Sequence, residues 1–174
     1  SNFAVDGDEI TAEKVDKATF TNTYSVNNVH YGPVAIKNYT DKSGQKPLVD
    51  GMFTFEMKPS ELNTESVVPM PTSDTVYTAH NFGEYVSFGQ VEFTNEHVGK
   101  TYYYELSEVN GGVNGMTYDA TKTVVEVVVT SEDVDGVEVI KVTPTYMDEA
   151  QNPLKDGSGN AINNATFTNV YEPT

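Results

Sequence analysis

The chain has few residues placed for conventional catalysis. Its three histidines, His30, His80 and His97, stand alone. None has a second ligand at the spacing that puts two side chains on one metal ion, so no metal site is expected. Asp156-Gly-Ser-Gly-Asn160 begins like a calcium loop, but Ala161 occupies the sharp-turn position and no glutamate closes the loop. It reads as a solvated turn. There is no nucleophile elbow, phosphate loop or dinucleotide fingerprint, so neither turnover chemistry nor a cofactor is expected. The polar residues that remain noteworthy are those on apolar strand faces. In Tyr104-Glu-Leu-Ser-Glu108, alternation puts Glu108 on the face of Tyr104 and Leu106, and Glu105 on the other. In Phe167-Thr-Asn-Val-Tyr171, Asn169 lies between the two aromatic residues, on a face expected to be buried. Lys37 is ambiguous, because Ala35 and Tyr39 share its face while Val34 and Ile36 form the alternative inward set.

The elements that must hold these residues read as strands. Val and Thr are abundant, 11 Tyr and 8 Phe are present, and long segments of 3.6-residue periodicity are missing, which makes an all-β fold the expectation. The clearest hairpin runs from Lys122–Thr130 through an acidic turn, Ser131–Gly136, into Val137–Tyr146, with Asp135-Gly136 as turn chemistry. Further strands are expected at Val34–Tyr39, Met52–Met57, Val76–His80, Glu84–Phe88, Thr101–Glu108 and Thr166–Tyr171. Pro59–Thr64 and the Gly- and Asn-rich Glu149–Asn164 are expected to be loops. Seven to nine short strands suggest a β-sandwich.

Composition narrows the function classes. Of the 174 residues, 26 are acidic and 10 are lysine, with no arginine, giving a net charge of −16. Such a balance disfavours nucleic-acid and anionic-membrane partners. The longest apolar run, around Val124–Val129, is far below the roughly 20 residues of a membrane-spanning helix, so no membrane insertion is expected. The absence of cysteine excludes disulfides and thiol chemistry.

One internal repeat organises the chain. Lys17-Ala-Thr-Phe-Thr-Asn-Thr-Tyr24 recurs as Asn164-Ala-Thr-Phe-Thr-Asn-Val-Tyr171, differing only at the first and seventh positions. A strand repeated once per domain length is what a tandem array looks like. Residues 1–24 are therefore expected to be the C-terminal strand region of a preceding repeat, 25–33 a linker, and 34–174 the main domain. Asn22 becomes the repeat equivalent of Asn169, an orphan whose strand is expected to dock on a sheet edge.

Several runs together carry a family resemblance: Ile36-Lys37, Asp50-Gly-Met-Phe-Thr-Phe-Glu-Met57, Phe88-Gly-Gln-Val-Glu-Phe93, Gly99-Lys-Thr-Tyr-Tyr-Tyr-Glu-Leu-Ser-Glu108, Thr117-Tyr-Asp-Ala-Thr-Lys-Thr-Val124 and Ala165-Thr-Phe-Thr-Asn-Val-Tyr171. In this order the chain resembles the pilin repeat domain of Gram-positive surface proteins, of the streptococcal T-antigen type with a Cna protein B-type immunoglobulin-like fold. The resemblance covers about residues 34–171. It implies an intramolecular isopeptide bond between a first-strand lysine and a last-strand asparagine, assisted by an acidic residue. By position these are Lys37, Asn169 and Glu108, with Lys42 the alternative amine. The chemistry is physically coherent. Burial lowers the pKa of a lysine and makes its amine a nucleophile. A buried carboxyl at Glu108 would polarise the Asn169 carbonyl and carry protons to departing ammonia.

The resemblance further implies a structural stalk or shaft domain of a pilin or adhesin, attached to the cell wall outside the cell. Its partners would be neighbouring repeats or pilin subunits. The chain would not be an enzyme, since the cross-link forms once per molecule. The alternative function is a surface adhesin module that binds a host extracellular-matrix protein or glycan through loops 59–75 and 147–164, with one or two of Tyr102–Tyr104 facing outward.

Overall fold

Residues 27–174 are described by the computed structural model, and their Val-, Thr- and Tyr-rich segments form eleven strands with a single 3-10 turn. The strands are β1 (Val29–Tyr31), β2 (Val34–Asp41), β3 (Thr54–Pro59), β4 (Tyr77–Phe82), β5 (Tyr85–Ser87), β6 (Val91–Phe93), β7 (Thr101–Glu108), β8 (Met116–Thr117), β9 (Lys122–Val134), β10 (Val137–Met147) and β11 (Ala165–Tyr171). The expected all-β, immunoglobulin-like sandwich is what forms. One layer runs β10-β9-β7-β3-β4 and the other β5-β2-β11-β8, while β1 and β6 make a separate pair. Strand β4 belongs to both layers: residues 77–80 pair with β3, and Asn81 and Phe82 with β5. At this corner the buried Asn81 side chain accepts from Phe53 N–H (2.8 Å) and donates to the carbonyls of Val49 (3.0 Å) and Gly83 (2.9 Å). It thereby satisfies backbone groups that the change of sheet leaves unpaired.

Alternation governs which side chains enter the space between the layers. Tyr102, Tyr104 and Leu106 of β7, Val125, Val127 and Val129 of β9, and Ala165 and Phe167 of β11 are buried. Phe55 of β3 meets Phe167 across the sandwich, with ring centroids 5.4 Å apart. The first and last strands of the main domain, β2 and β11, lie side by side and parallel, with Lys37 opposite Phe167 and Tyr39 opposite Asn169.

Two expectations change in detail. The acidic segment Ser131–Val134 belongs to β9 rather than to the turn, and its ladder with β10 continues to Val134 opposite Val137. The physical reason is the two-residue turn, in which Asp135 (φ 52) and Gly136 (φ 84) both take positive φ. Such a turn closes a hairpin tightly and lets the strands run on beyond the core into solvent. Segment 25–33, expected to be a linker, contains β1, paired antiparallel with β6. The Tyr31 hydroxyl lies 2.9 Å from that of Tyr146, which also accepts from Val34 N–H. Gly32 permits this docking, since a Cβ there would lie 1.7 Å from the Gly89 carbonyl oxygen. Residues 1–24, and with them Asn22 and its proposed docking, lie outside the described residues.

Candidate functional site

Strand β2 resolves the ambiguity of Lys37. Ala35 and Lys37 point inward and both are fully buried, while Val34 and Ile36 take the other, half-buried face. The Lys37 ammonium lies 4.4 Å from the centroid of Phe53 and 5.8 Å from that of Phe55. Tyr39 packs on Phe53 at 5.3 Å, and Tyr118 meets it edge-on at 6.3 Å. The amine therefore ends in an aromatic box with no path to water.

Glu108 meets it there from the opposite layer, at the end of β7. Both carboxylate oxygens lie 3.0 Å from Lys37 Nζ, and neither side chain is exposed. Asn169, fully buried on β11, donates from Nδ2 to Glu108 Oε2 at 2.7 Å. One carboxylate thus bridges the amine and the amide. Burial pulls the Lys37 pKa below that of an ordinary lysine, opposed by the hydrogen bond and charge of Glu108 and by the charge of Asp119.

The amide is held differently from the sequence expectation. Glu108 contacts the nitrogen of Asn169, not its carbonyl. The Asn169 carbonyl oxygen instead accepts from the backbone N–H of Asp119 at 3.0 Å, and the same N–H approaches Glu108 Oε1 at 3.2 Å. The arrangement follows from topology. After β8 leaves the edge of β11, the chain crosses to β9 in the other layer, and within this crossing the Asp119 N–H reaches both Glu108 and Asn169. The Asp119 carboxylate fixes it by accepting from Thr168 N–H (2.7 Å), Thr121 N–H (2.8 Å) and the Thr121 hydroxyl (2.6 Å). These hydrogen bonds outweigh partial burial and hold the Asp119 pKa below the usual carboxylate range. Sequence reasoning assigned Asp119 no role. The visible signal was the Asp-x-Thr spacing, which is a side-chain-to-backbone turn.

The structure brings Lys37, Glu108 and Asn169 together and leaves Lys42 outside, exposed and 3.4 Å from Glu172. The histidines are dispersed: His30 beside Glu92, His80 beside Thr54, and His97 capping the 3-10 turn through Thr94 N–H. Among the described residues no group of acidic residues and histidines could hold a metal ion, and no helix is long and apolar enough to cross a membrane. Of the three consecutive tyrosines, Tyr102 and Tyr104 are buried. Tyr103 faces outward and donates to Glu126 at 3.2 Å. Loop 59–75 lines a cleft of about 590 Å³, and part of loop 147–164 lines another of about 350 Å³.

A sandwich whose core encloses an amine, an amide and a shared carboxylate defines a narrow class of β domain. Residues 34–172 match the family model described as FctA, Spy0128-like isopeptide containing domain, and the chain belongs to that family. In structure it is similar to the major pilin of Streptococcus pyogenes, with 18% identity and a TM-score of 0.48 over 84% of this chain and 51% of that one. It is also similar to the major pilin protein T-13 of the same species, with 17% identity and a TM-score of 0.48 over 85% of this chain and 55% of the other. The chain thus spans about half the length of these pilins. No curated protein matches it.

Proposed function

We propose that this chain is a shaft or stalk domain of a Gram-positive cell-surface pilin or adhesin, reinforced by a self-generated isopeptide bond from Lys37 to Asn169. The observation that carries the reading is the single buried carboxylate, Glu108, hydrogen-bonded at once to the Lys37 amine and the Asn169 amide nitrogen. Glu108 takes a proton from the ammonium of Lys37, leaving a neutral amine in the aromatic box. The amine attacks Cγ of Asn169, Glu108 passes its proton to Nδ2 as the bond from Cγ to Nδ2 breaks, and Glu108 then takes the second proton from the nitrogen of the new link. One ammonia leaves, and no oxidant or cofactor is consumed. Holding amine and amide in one rigid core supplies the effective concentration that free groups lack, and exclusion of water keeps the amine unsolvated.

The mechanical consequence follows from the parallel pairing of β2 with β11. Tension applied to the two ends of the domain would pass from position 37 directly to position 169, bypassing the sheets between them. Location outside the cell, attachment to the wall and contact with neighbouring repeats or subunits belong to the same reading. The test is intact mass with peptide mapping: the native chain lacks one ammonia relative to its sequence, the deficit maps to a Lys37–Asn169 pair, and Glu108→Ala abolishes it. An unmodified native mass would remove the reading. The second reading, a module that binds a host protein or glycan, has in its favour the cleft lined by loop 59–75. A spacer alone would not retain immobilised matrix components, so retention would favour this second reading.

A further inference from the structure

The backbone N–H of Asp119 has no place in the acid–base account above, yet it is the hydrogen-bond donor aimed at the one atom that gains negative charge when an amine adds to Asn169. We propose that Asp119 supplies the oxyanion donor for cross-link formation through its main-chain N–H, and that its carboxylate is the positioning group that holds this N–H in place. This inference rests on the cross-link reading and adds a second catalytic group to it.

Three observations carry it. The Asp119 N–H is shared between Asn169 Oδ1 at 3.0 Å and Glu108 Oε1 at 3.2 Å. While Glu108 is a carboxylate, the two acceptors compete for one proton. Once Glu108 has taken the proton of Lys37 it becomes the weaker acceptor, and Asn169 Oδ1, now an alkoxide, becomes the stronger. The same N–H is therefore worth more at the tetrahedral stage than before it, which is the condition for accelerating a step rather than merely binding its reactants. The donor is also pre-set. Its own side chain is tied to Thr168, the residue before Asn169, and to Thr121 within the same crossing, so the crossing between β8 and β9 cannot drift from β11 without breaking the Thr168 bond as well as the one to Asn169. Finally, Lys37 and Asn169 are fully buried, with the amine over Phe53 and Phe55, where a fixed dipole is not screened by water.

In the step itself, the bond from Lys37 Nζ to Asn169 Cγ forms as the carbonyl π pair moves onto Oδ1, where the Asp119 N–H receives it. The pair returns as the bond from Cγ to Nδ2 breaks, ammonia departs with the proton carried by Glu108, and Glu108 then takes the second proton from the nitrogen of the new link.

The test replaces the residue at 119 in the full chain with the α-hydroxy analogue of aspartate, so that an ester oxygen stands where the N–H was and the carboxylate is kept. Cross-linking of freshly synthesised chain is followed by intact mass after translation is stopped. The ester chain is expected to lose ammonia at least about 100-fold more slowly than the native chain, as for removal of an oxyanion donor elsewhere. A second variant, Asp119→Ala, keeps the N–H and removes its ties; its rate is expected to fall between the two. A spectroscopic readout covers the case in which the ester chain does not fold. In the Lys37→Met background, which cannot cross-link, the infrared carbonyl band of isotope-labelled Asn169 should shift to higher frequency when Asp119→Ala loosens the donor. A folded ester chain that cross-links within about threefold of the native rate, or an unshifted carbonyl band, overturns the role of Asp119 and leaves the cross-link standing. A native chain that never loses ammonia overturns the cross-link and this step with it.

Discussion

Asn169→Ala is the cleanest measure of what the cross-link contributes, because it removes the electrophile and leaves the rest of the site in place. Lys37 keeps both Glu108 oxygens at 3.0 Å, and the Asp119 N–H keeps Glu108 Oε1 at 3.2 Å, so no buried charge loses its partner. What disappears is the closure of a loop of about 130 residues between positions 37 and 169. On the chain-entropy account developed for disulfides, closing a loop of that length restricts the unfolded state by about 5 kcal/mol. The lost amide hydrogen bonds add about 1 kcal/mol each. For a domain of this size each kcal/mol moves the melting temperature by about 2–4 °C, so the loop term alone lowers it by about 10–20 °C. The assay is differential scanning calorimetry on native and variant chains whose masses are checked on the same samples. If a native chain carrying the ammonia deficit and a variant lacking it melt within about 3 °C of each other, the entropic reasoning is wrong.

Two further outcomes follow from the same geometry. Pulled from its termini in a force spectrometer, the native chain should not release the stretch between residues 37 and 169, whereas Glu108→Ala should unfold with a gain of about 450 Å, the extended length of that stretch; a full-length gain from the native chain would refute load transfer through the link. The phenols of Tyr31, Tyr104 and Tyr146 have pKa values raised above the ordinary tyrosine value of 10.0, chiefly by burial. The folded state therefore binds more protons than the unfolded chain above that pH, so stability is full below about pH 10 and lost as pH rises beyond it. Phenolate absorbance should show these rings ionising together with unfolding, and early, independent titration of all three would contradict their burial.

How far the sequence exposed this site depends on the residue. Glu108 and Asn169 were legible from strand parity, because each continues a row of large apolar neighbours whose direction is unambiguous. Lys37 was not: Val34 and Ile36 form an inward set as plausible as Ala35 and Tyr39, and only the family resemblance selected the lysine face. In the fold β2 lies between β5 and β11 with its Ala35 and Lys37 face buried, the lysine reaching the rings of Phe53 and Phe55. The hairpin of β9 and β10 was readable from Asp135-Gly136, but its length was not, since acidic residues that favour solvent can still complete a ladder. Strands β1, β6 and β8, of two or three residues each, are too short to show periodicity and exist through their partners. Asp119 was missed for a different reason: its contribution to the amide comes from the main chain, which every residue but proline carries.

The site also explains why a fold would place charge in its core at all. Before reaction, Lys37 and Glu108 form a buried pair, and the loss of hydration for two such groups can exceed their mutual attraction. Such a pair is poor stabilisation by itself. The proposed reaction would convert the amine into a neutral amide and leave its proton on Glu108, so the core would end without formal charge. The depressed pKa of Lys37 and the proposed reactivity of the site then have one physical origin. Burial disfavours the ammonium; the amine left behind is the nucleophile; and forming the bond removes the condition that made it reactive. Folding must come first, because only the assembled sandwich sets β7 against β2 and β11. On this reading the linked strands would retain the load path that the hydrogen bonds of β2 and β11 alone would lose under tension.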